Sequence, residues 1–146
     1  MKKVGVDVGG SHVTISVIEH NVLRKEEQLV LRKEINAKDS PMAIISTIGN
    51  CITEVLSNGL AVDAVGIAFP GPFNYDKGVS EIKGVGGKFE PTFGVHIQQA
   101  LKNFTGLDAI PFVFANDADC FAEGAYFLHQ LKSKRMVFLT LGTGFG

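Results

Sequence analysis

A chain of 146 residues with 45% hydrophobic and 20% charged residues has the size and composition of one domain with its own core. Its formal net charge of −1 at pH 7 excludes the basic excess that a nucleic-acid or anionic membrane surface requires, so we expect neither partner. The apolar runs are only strand-length and the N-terminus lacks a signal-peptide pattern, so we expect a cytoplasmic protein without a transmembrane helix.

The cysteines and histidines give no metal site. Cys51 and Cys120 lie within apolar helical patterns, so we expect both to be reduced core residues. None of the four histidines has a partner at zinc-ligand spacing.

The first third of the chain predicts three antiparallel strands. Residues 3–9 and 13–17 alternate valine or isoleucine with smaller and polar residues around a Gly9-Gly10 turn, which is typical of a β-hairpin. Residues 23–31 form a more polar run, as at a sheet edge. Asp39-Ser40-Pro41 then starts a helix that ends at Asn58-Gly59.

The rest of the chain alternates strands and helices. Residues 62–69 predict a buried strand that ends at Pro70-Gly71-Pro72, and a long glycine-rich loop follows. A helix over 95–104, a strand over 112–114, a helix from 118 to 128 and a last strand from 136 to 141 complete the order. We expect the apolar face of the third helix, Phe121 and Leu128 included, to pack on the strand before it. This order predicts an α/β fold with a mixed sheet and helices on both faces.

Two glycine turns are candidate phosphate sites. In the first, Gly9 and Gly10 let backbone N–H groups approach an anion and Ser11 adds a hydroxyl, while Asp7 can hold Mg²⁺ directly or through water. An ordinary hairpin explains the same residues without a ligand. The second turn contains Gly142, Thr143 and Gly144. It lacks the ending of a P-loop and does not begin a helix, so it matches neither the Walker nor the Rossmann motif.

Asp117 is the candidate general base. It follows a buried strand and begins a helix, and open α/β proteins bind ligands at the carboxyl ends of their strands. Phosphoryl transfer needs a positioned carboxylate to accept the proton of the attacking hydroxyl. Asn116 can orient a sugar hydroxyl through its amide. The alternative is that Asp117 only caps the helix.

Four segments together resemble the ROK family of sugar kinases and repressors, within the actin-like, hexokinase and Hsp70 superfamily. They are Asp7-Val-Gly-Gly-Ser11, Gly66-Ile-Ala-Phe-Pro-Gly-Pro72, Asn116-Asp117-Ala118 and Leu141-Gly-Thr-Gly-Phe-Gly146. The resemblance implies a ribonuclease-H-like fold and a glucokinase-like enzyme that uses a hexose, ATP and Mg²⁺. It also implies that Asp117 is the base and that Asn116, Gly71, Gly86 and Gly87 bind the sugar. The loop over residues 84–88 falls where such kinases close over the sugar.

The resemblance further implies an N-terminal kinase lobe over residues 1–134, with 135–146 as the first strand and phosphate turn of a second lobe. That lobe would carry a Glu-Ile-Gly-His segment, a cysteine-rich zinc motif and the adenosine pocket, so we expect the 146 residues alone to be inactive. Two alternatives remain open: a sugar-sensing regulator of the same family, and a non-catalytic lobe that acts as a binding module. Because the last strand would have an unpaired edge, it would fold back or recruit another strand, and we expect a homo-oligomer.

Overall fold

A computed structural model describes residues 1–19, 22–23, 30–57, 59–130, 132 and 135–139. Its strands are Lys2–Val8 (β1), His12–Glu19 (β2), Val22–Leu23 (β3), Val30–Glu34 (β4), Ala64–Phe69 (β5), Phe73–Asn74 (β6), Val79–Ser80 (β7) and Phe112–Asn116 (β8). Its α-helices are Pro41–Leu56 (α1), Ile97–Thr105 (α2) and Asp117–Leu128 (α3), and a 3₁₀ turn spans Glu90–Thr92.

The main sheet is mixed, as the sequence predicts. Its strand order is β3-β2-β1-β5-β8, with β4 also paired to β2. Strands β1 and β2 form the expected antiparallel hairpin, and β1, β5 and β8 run parallel. The polar strand predicted over 23–31 is instead two short strands, β3 and β4, that both pair with β2; residues 24–29 lie outside the described part. The carboxyl ends of three parallel strands therefore meet at one edge.

One face of this sheet is packed against α1, and α2 packs on α1 and β7. Alternate residues of the strands point into a single core, whose members include Val6, Ile15, Ile67 and Phe114. Helix α1 begins as predicted: Pro41 is its first residue, and the Ser40 hydroxyl accepts a hydrogen bond from the Ala43 N–H at 3.3 Å.

The opposite face is open in the described part of the chain, where helices on both faces were expected. Gly66 is exposed and Val113 is 61% exposed. Helix α3 buries none of its residues. Phe121 and Leu128 are 59% and 75% exposed, so the prediction that they pack on β8 is wrong. An amphipathic face forms a core only where a second apolar surface meets it, and the described residues supply none there.

Two further expectations fail for the same reason. Cys51 is buried as predicted, but Cys120 on α3 is exposed. Residues 136–139 lie in no strand, although the sequence predicts one from Met136. None of the described strands pairs with them, and a strand without a hydrogen-bonded neighbour is not stable. Among the described residues, no helix is both long and apolar enough to cross a membrane.

Candidate active site

Asp7 and Asp117 converge at the carboxyl edge of the parallel strands. Asp7 pairs in register with Ala68 of β5, and Phe69 of β5 pairs with Asn116 of β8, directly before Asp117. The pKa of Asp7 is raised, first by loss of hydration and then by the negative charge of Asp117, while Arg32 opposes the shift. The structure thus brings together the predicted magnesium ligand and the predicted base.

Asn116, and not Asp117, is the cap of helix α3. The Asn116 Oδ1 accepts hydrogen bonds from the backbone N–H groups of Ala118 and Asp119, at 2.9 and 3.3 Å. Asp117 is the first helical residue, and its Oδ1 also accepts from the Ala118 N–H at 3.0 Å. Since the cap is supplied by Asn116, capping does not explain a carboxylate at position 117.

Tyr75 holds the amide of Asn116 from the other side. Asn116 Nδ2 donates to the Tyr75 hydroxyl at 3.1 Å, and that hydroxyl donates to the Phe69 carbonyl at 3.1 Å. Burial is the first cause of the raised pKa of Tyr75. Because the amide oxygen is committed to the helix, the second N–H of Nδ2 is what remains for a sugar hydroxyl.

Gly71 lies beside this pair, as its predicted role in the sugar site requires. A Cβ added at Gly71 would sit 3.2 Å from the Tyr75 hydroxyl and 3.6 Å from Asn116 Nδ2. The absent side chain therefore keeps the space above Asn116 open.

The predicted sugar loop, residues 84–88, is cross-linked by one carboxylate. Glu90 Oε1 accepts hydrogen bonds from the backbone N–H groups of Val85 at 2.8 Å and Gly87 at 2.9 Å. These bonds, that of Gly87 first, hold the pKa of Glu90 below its usual value. Gly86 and Gly87 have φ of 80° and 84°, a conformation that favours glycine. The loop is therefore held in one shape by its own sequence.

The first phosphate turn has fewer free donors than the sequence suggests. The Gly9 N–H already donates to the His12 carbonyl at 2.9 Å to close the hairpin, and Ser11 Oγ is hydrogen-bonded to His12 Nδ1 at 2.9 Å. An open groove of about 360 Å³ beside the turn is lined by Ser11, His12, Glu34, Ile35 and Asn36. In this arrangement the backbone N–H of Gly10 is not used by the hairpin ladder and is free to bind an anion.

Two predicted features are not resolved by this geometry. Gly142, Thr143 and Gly144, the second phosphate turn, lie outside the described residues. Within the described residues, no group of three or more His, Cys, Asp or Glu side chains could hold a metal ion by itself.

Two residues of the site were missed from the sequence: Tyr75 and Glu90. Tyr75 follows the glycine-proline turn without any motif, and its partner Asn116 is 41 residues away. Glu90 acts on the loop just before it, which could have been suspected from a carboxylate close to paired glycines.

Comparisons with known proteins agree with the fold. A model of the ROK family matches residues 3–146. No curated protein matches the chain in a sequence search. The ROK hexokinase of Thermus thermophilus superposes with a TM-score of 0.66 at 21% identity, covering 86% of this chain and 38% of its own. The inorganic polyphosphate/ATP-glucomannokinase of an Arthrobacter strain gives 0.75 at 21% identity, covering 99% and 56%.

The structure of a ROK family transcriptional regulator, a homologue of the E. coli MLC protein, is also similar to this chain. Its TM-score is 0.63 at 16% identity, covering 86% of this chain and 30% of its own. All three likenesses show the hexokinase-type, actin-like α/β fold that the sequence predicts. The chain spans 38% of the Thermus enzyme's length and just over half of the Arthrobacter enzyme's, 56%.

Proposed function

The chain belongs to the ROK family, and from that premise we propose that it is the base-bearing lobe of an ATP-dependent, glucokinase-like hexose kinase. The observation that carries the proposal is the pair Asp7 and Asp117, two carboxylates that the register of β1, β5 and β8 places at the same carboxyl edge of the sheet. A sugar-sensing or purely structural lobe has no need to hold two like charges together, whereas a kinase needs a base beside a cation site.

The proposed reaction transfers the γ-phosphoryl group of ATP to a sugar hydroxyl. Asp117 accepts the hydroxyl proton as the sugar oxygen forms a bond to phosphorus. The bond between phosphorus and the β,γ-bridging oxygen breaks, and its electron pair leaves with ADP. Asn116 orients the sugar through its remaining N–H, and Gly71 leaves room for the ring. Gly10 and Ser11 face the phosphates at the first turn, and Gly142, Thr143 and Gly144 would do so at the second.

The residues present fit a magnesium ion. Mg²⁺ is commonly bound in nucleotide sites through one or two carboxylates, with water and phosphate oxygens as its other ligands, so a cluster of three protein ligands is not required. The pKa of Asp7 is raised first by loss of hydration and then by the charge of Asp117, and a divalent cation bound at Asp7 would relieve that repulsion. When bound, the ion would neutralise charge on the transferred phosphoryl group.

The test is Asp117→Asn in the protein that carries this chain, at its full length, with Asp119→Asn as the matched control. Asp119 is exposed and lies in the same first turn of α3, so both substitutions change the charge at the helix N-terminus equally. We expect D117N to lower kcat for glucose phosphorylation by roughly 10²–10⁴-fold, with glucose binding still measurable by calorimetry. We expect D119N to remain within a few-fold of wild type. Wild-type turnover in D117N would refute the assignment.

A regulator is the second candidate, since one ROK regulator shares the fold. A regulator would bind its sugar without consuming ATP. Incubation with glucose and labelled ATP therefore separates the two: formation of a labelled sugar phosphate favours the kinase, and sugar binding without it favours the regulator.

Other features of the complete protein remain predictions. We propose a second lobe that begins near residue 135, a homo-oligomeric assembly and a cytoplasmic location. Hexoses other than glucose and a polyphosphate donor are tested in the same assay by substitution of the sugar and of ATP.

A further inference from the structure

Lys88 has an unusual position between the two halves of the candidate site. It belongs to the predicted sugar loop, yet its side chain lies over the first phosphate turn. A Cβ built on Gly10 would be 3.3 Å from both Cδ and Nζ of Lys88. The ammonium group is therefore in contact range of the first of the two turns that the sequence marks as anion sites.

The backbone at Lys88 is held firmly in this position. The next residue, Phe89, is 2% exposed, and its ring lies 5.3 Å from that of Phe69 in the core. The Phe89 N–H donates to the Ala37 carbonyl at 2.6 Å. On the other side, Glu90 binds the N–H groups of Val85 and Gly87. Since both flanks are fixed, the backbone of Lys88 is held where its side chain reaches the first phosphate turn.

The absence of a side chain at Gly10 is consistent with this contact. Its φ is not among the left-handed values in the chain, so the backbone conformation alone does not demand glycine there. A Cβ at position 10 would require the end of the Lys88 side chain to move by a few tenths of an ångström. The glycine keeps the ammonium group and the backbone N–H of the turn on one small surface.

Lys88 has no carboxylate to neutralise it in the part of the chain that the structure describes. The ion pairs found there join Lys2 to Glu19 and Lys33 to Glu54. Lys88 is nevertheless half-buried. A half-buried cation beside a backbone N–H that the hairpin leaves free is an arrangement that binds an anionic oxygen.

We propose that Lys88 contacts the phosphoryl group that is transferred, and thereby joins the sugar loop to the phosphate turn. The proposal rests on the proposed kinase function and names a residue of that same site. Lysine binds phosphate as a point charge, and phosphoryl transfer spreads negative charge over the equatorial oxygens in the transition state. A cation carried by the sugar loop stabilises that charge only when the loop is in place, which ties phosphoryl transfer to an occupied sugar site.

The first experiment measures binding to the 146-residue chain. Inorganic tripolyphosphate is titrated into ¹⁵N-labelled wild type, Lys88→Met and Lys83→Met, and the amide signals of Gly10 and Ser11 are followed. Methionine keeps the aliphatic stem over Gly10 and removes the charge. Lys83 is the control, because it is an exposed lysine near the same loop, placed 5.5 Å from the Phe93 ring centroid.

We expect K88M to weaken tripolyphosphate binding by about 10-fold or more, since a hydrogen bond to a charged group contributes roughly 1.5–3 kcal/mol. We expect K83M to stay within about twofold. Equal loss in both variants would mean a general charge effect and would overturn the proposal. So would a wild-type chain whose Gly10 signal does not respond to tripolyphosphate. Thermal unfolding of K88M within a degree or two of wild type excludes a merely structural role.

The second experiment measures turnover in the full-length protein that carries the chain. We expect K88M to lower kcat by about 10²-fold while the KM for glucose stays near wild type, and Lys88→Arg to restore part of kcat. If K88M equals wild type while D117N is inactive, the kinase assignment stands and Lys88 is not its cation. If neither the wild type nor any variant phosphorylates glucose, but K88M still binds tripolyphosphate more weakly than the wild type, the kinase assignment fails and the anion site at Lys88 stands.

Discussion

The Tyr75 hydroxyl joins three parts of the candidate site, and its removal tests their geometry. Tyr75→Phe keeps the ring, whose centroid lies 5.2 Å from that of Phe73, and removes only the oxygen. Two hydrogen bonds are lost, one from the Asn116 amide and one to the Phe69 carbonyl, each 3.1 Å long. These bonds connect the loop after β5 to the ends of β5 and β8.

The expected cost follows from burial. A net intramolecular hydrogen bond contributes about 1 kcal/mol. Tyr75 and Asn116 are half-buried, so water replaces part of the lost hydrogen bonding. We therefore expect Y75F to lower the free energy of unfolding by about 1–2 kcal/mol and the midpoint by ~3–8 °C.

Urea and thermal unfolding of the 146-residue chain provide the measurement. Tyr126→Phe is the matched control: Tyr126 lies on α3, is 43% exposed, and has no side-chain hydrogen bond among the described residues. We expect Y126F to change stability by less than about 0.5 kcal/mol.

A double-mutant cycle isolates the bond itself. Asn116→Ala alone also removes the cap of α3, so its total effect is not specific to Tyr75. The coupling between Y75F and N116A should be about 0.5–1.5 kcal/mol. Additive effects, or a Y75F chain as stable as wild type, would refute the linkage that we describe.

The remaining predictions concern charge, loop shape and exposure. The raised pKa of Asp7 means that the folded chain holds its proton more tightly than the unfolded chain does, so stability is lost as pH rises through the folded-state pKa. Asp7→Asn should therefore raise the unfolding midpoint by ~1–3 °C at pH 7, and should not raise it at a pH below the unfolded-state pKa. A lower midpoint at pH 7 would contradict this. Glu90 has a lowered pKa, so its support of the sugar loop is present at neutral pH and is lost as pH falls through the folded-state pKa. Glu90→Ala should speed hydrogen exchange at the Val85 and Gly87 amides by about 10-fold. Unchanged exchange would count against the cross-link. Finally, a thiol reagent should modify Cys120 in the native chain and leave Cys51 unreacted until unfolding, as mass spectrometry of the digested product can verify; modification of both at one rate would be inconsistent with the fold.

Local signals predicted much of the fold. Period-two valines and the Ser40-Pro41 start act within a few residues of themselves, and the structure has the hairpin and the start of α1 that they predict. The same reasoning identified Asn116 and Asp117, because a strand end followed at once by a helix start is a local pattern. It also identified the family, whose model matches residues 3–146.

Non-local contacts were decided by the tertiary structure alone. An apolar helical face indicates that a helix can be buried and not that a partner surface exists, which is why Phe121 and Cys120 were predicted as core residues and are exposed. The sequence likewise could not distinguish Asn116 from Asp117 as the cap, since both are good capping residues and the choice depends on where β8 ends.

By itself, the amino-acid sequence determined the opening hairpin, the three helices, the glycine turns and the carboxylates that suit phosphoryl transfer, because each depends on short-range spacing and chemistry. Only the tertiary structure decided that Asp7 and Asp117 share one edge, that Tyr75 holds Asn116 across 41 residues, and that Lys88 lies over Gly10. The physical reason is that such contacts form when separate strands and loops pack around one core, and no local pattern encodes the distance between them.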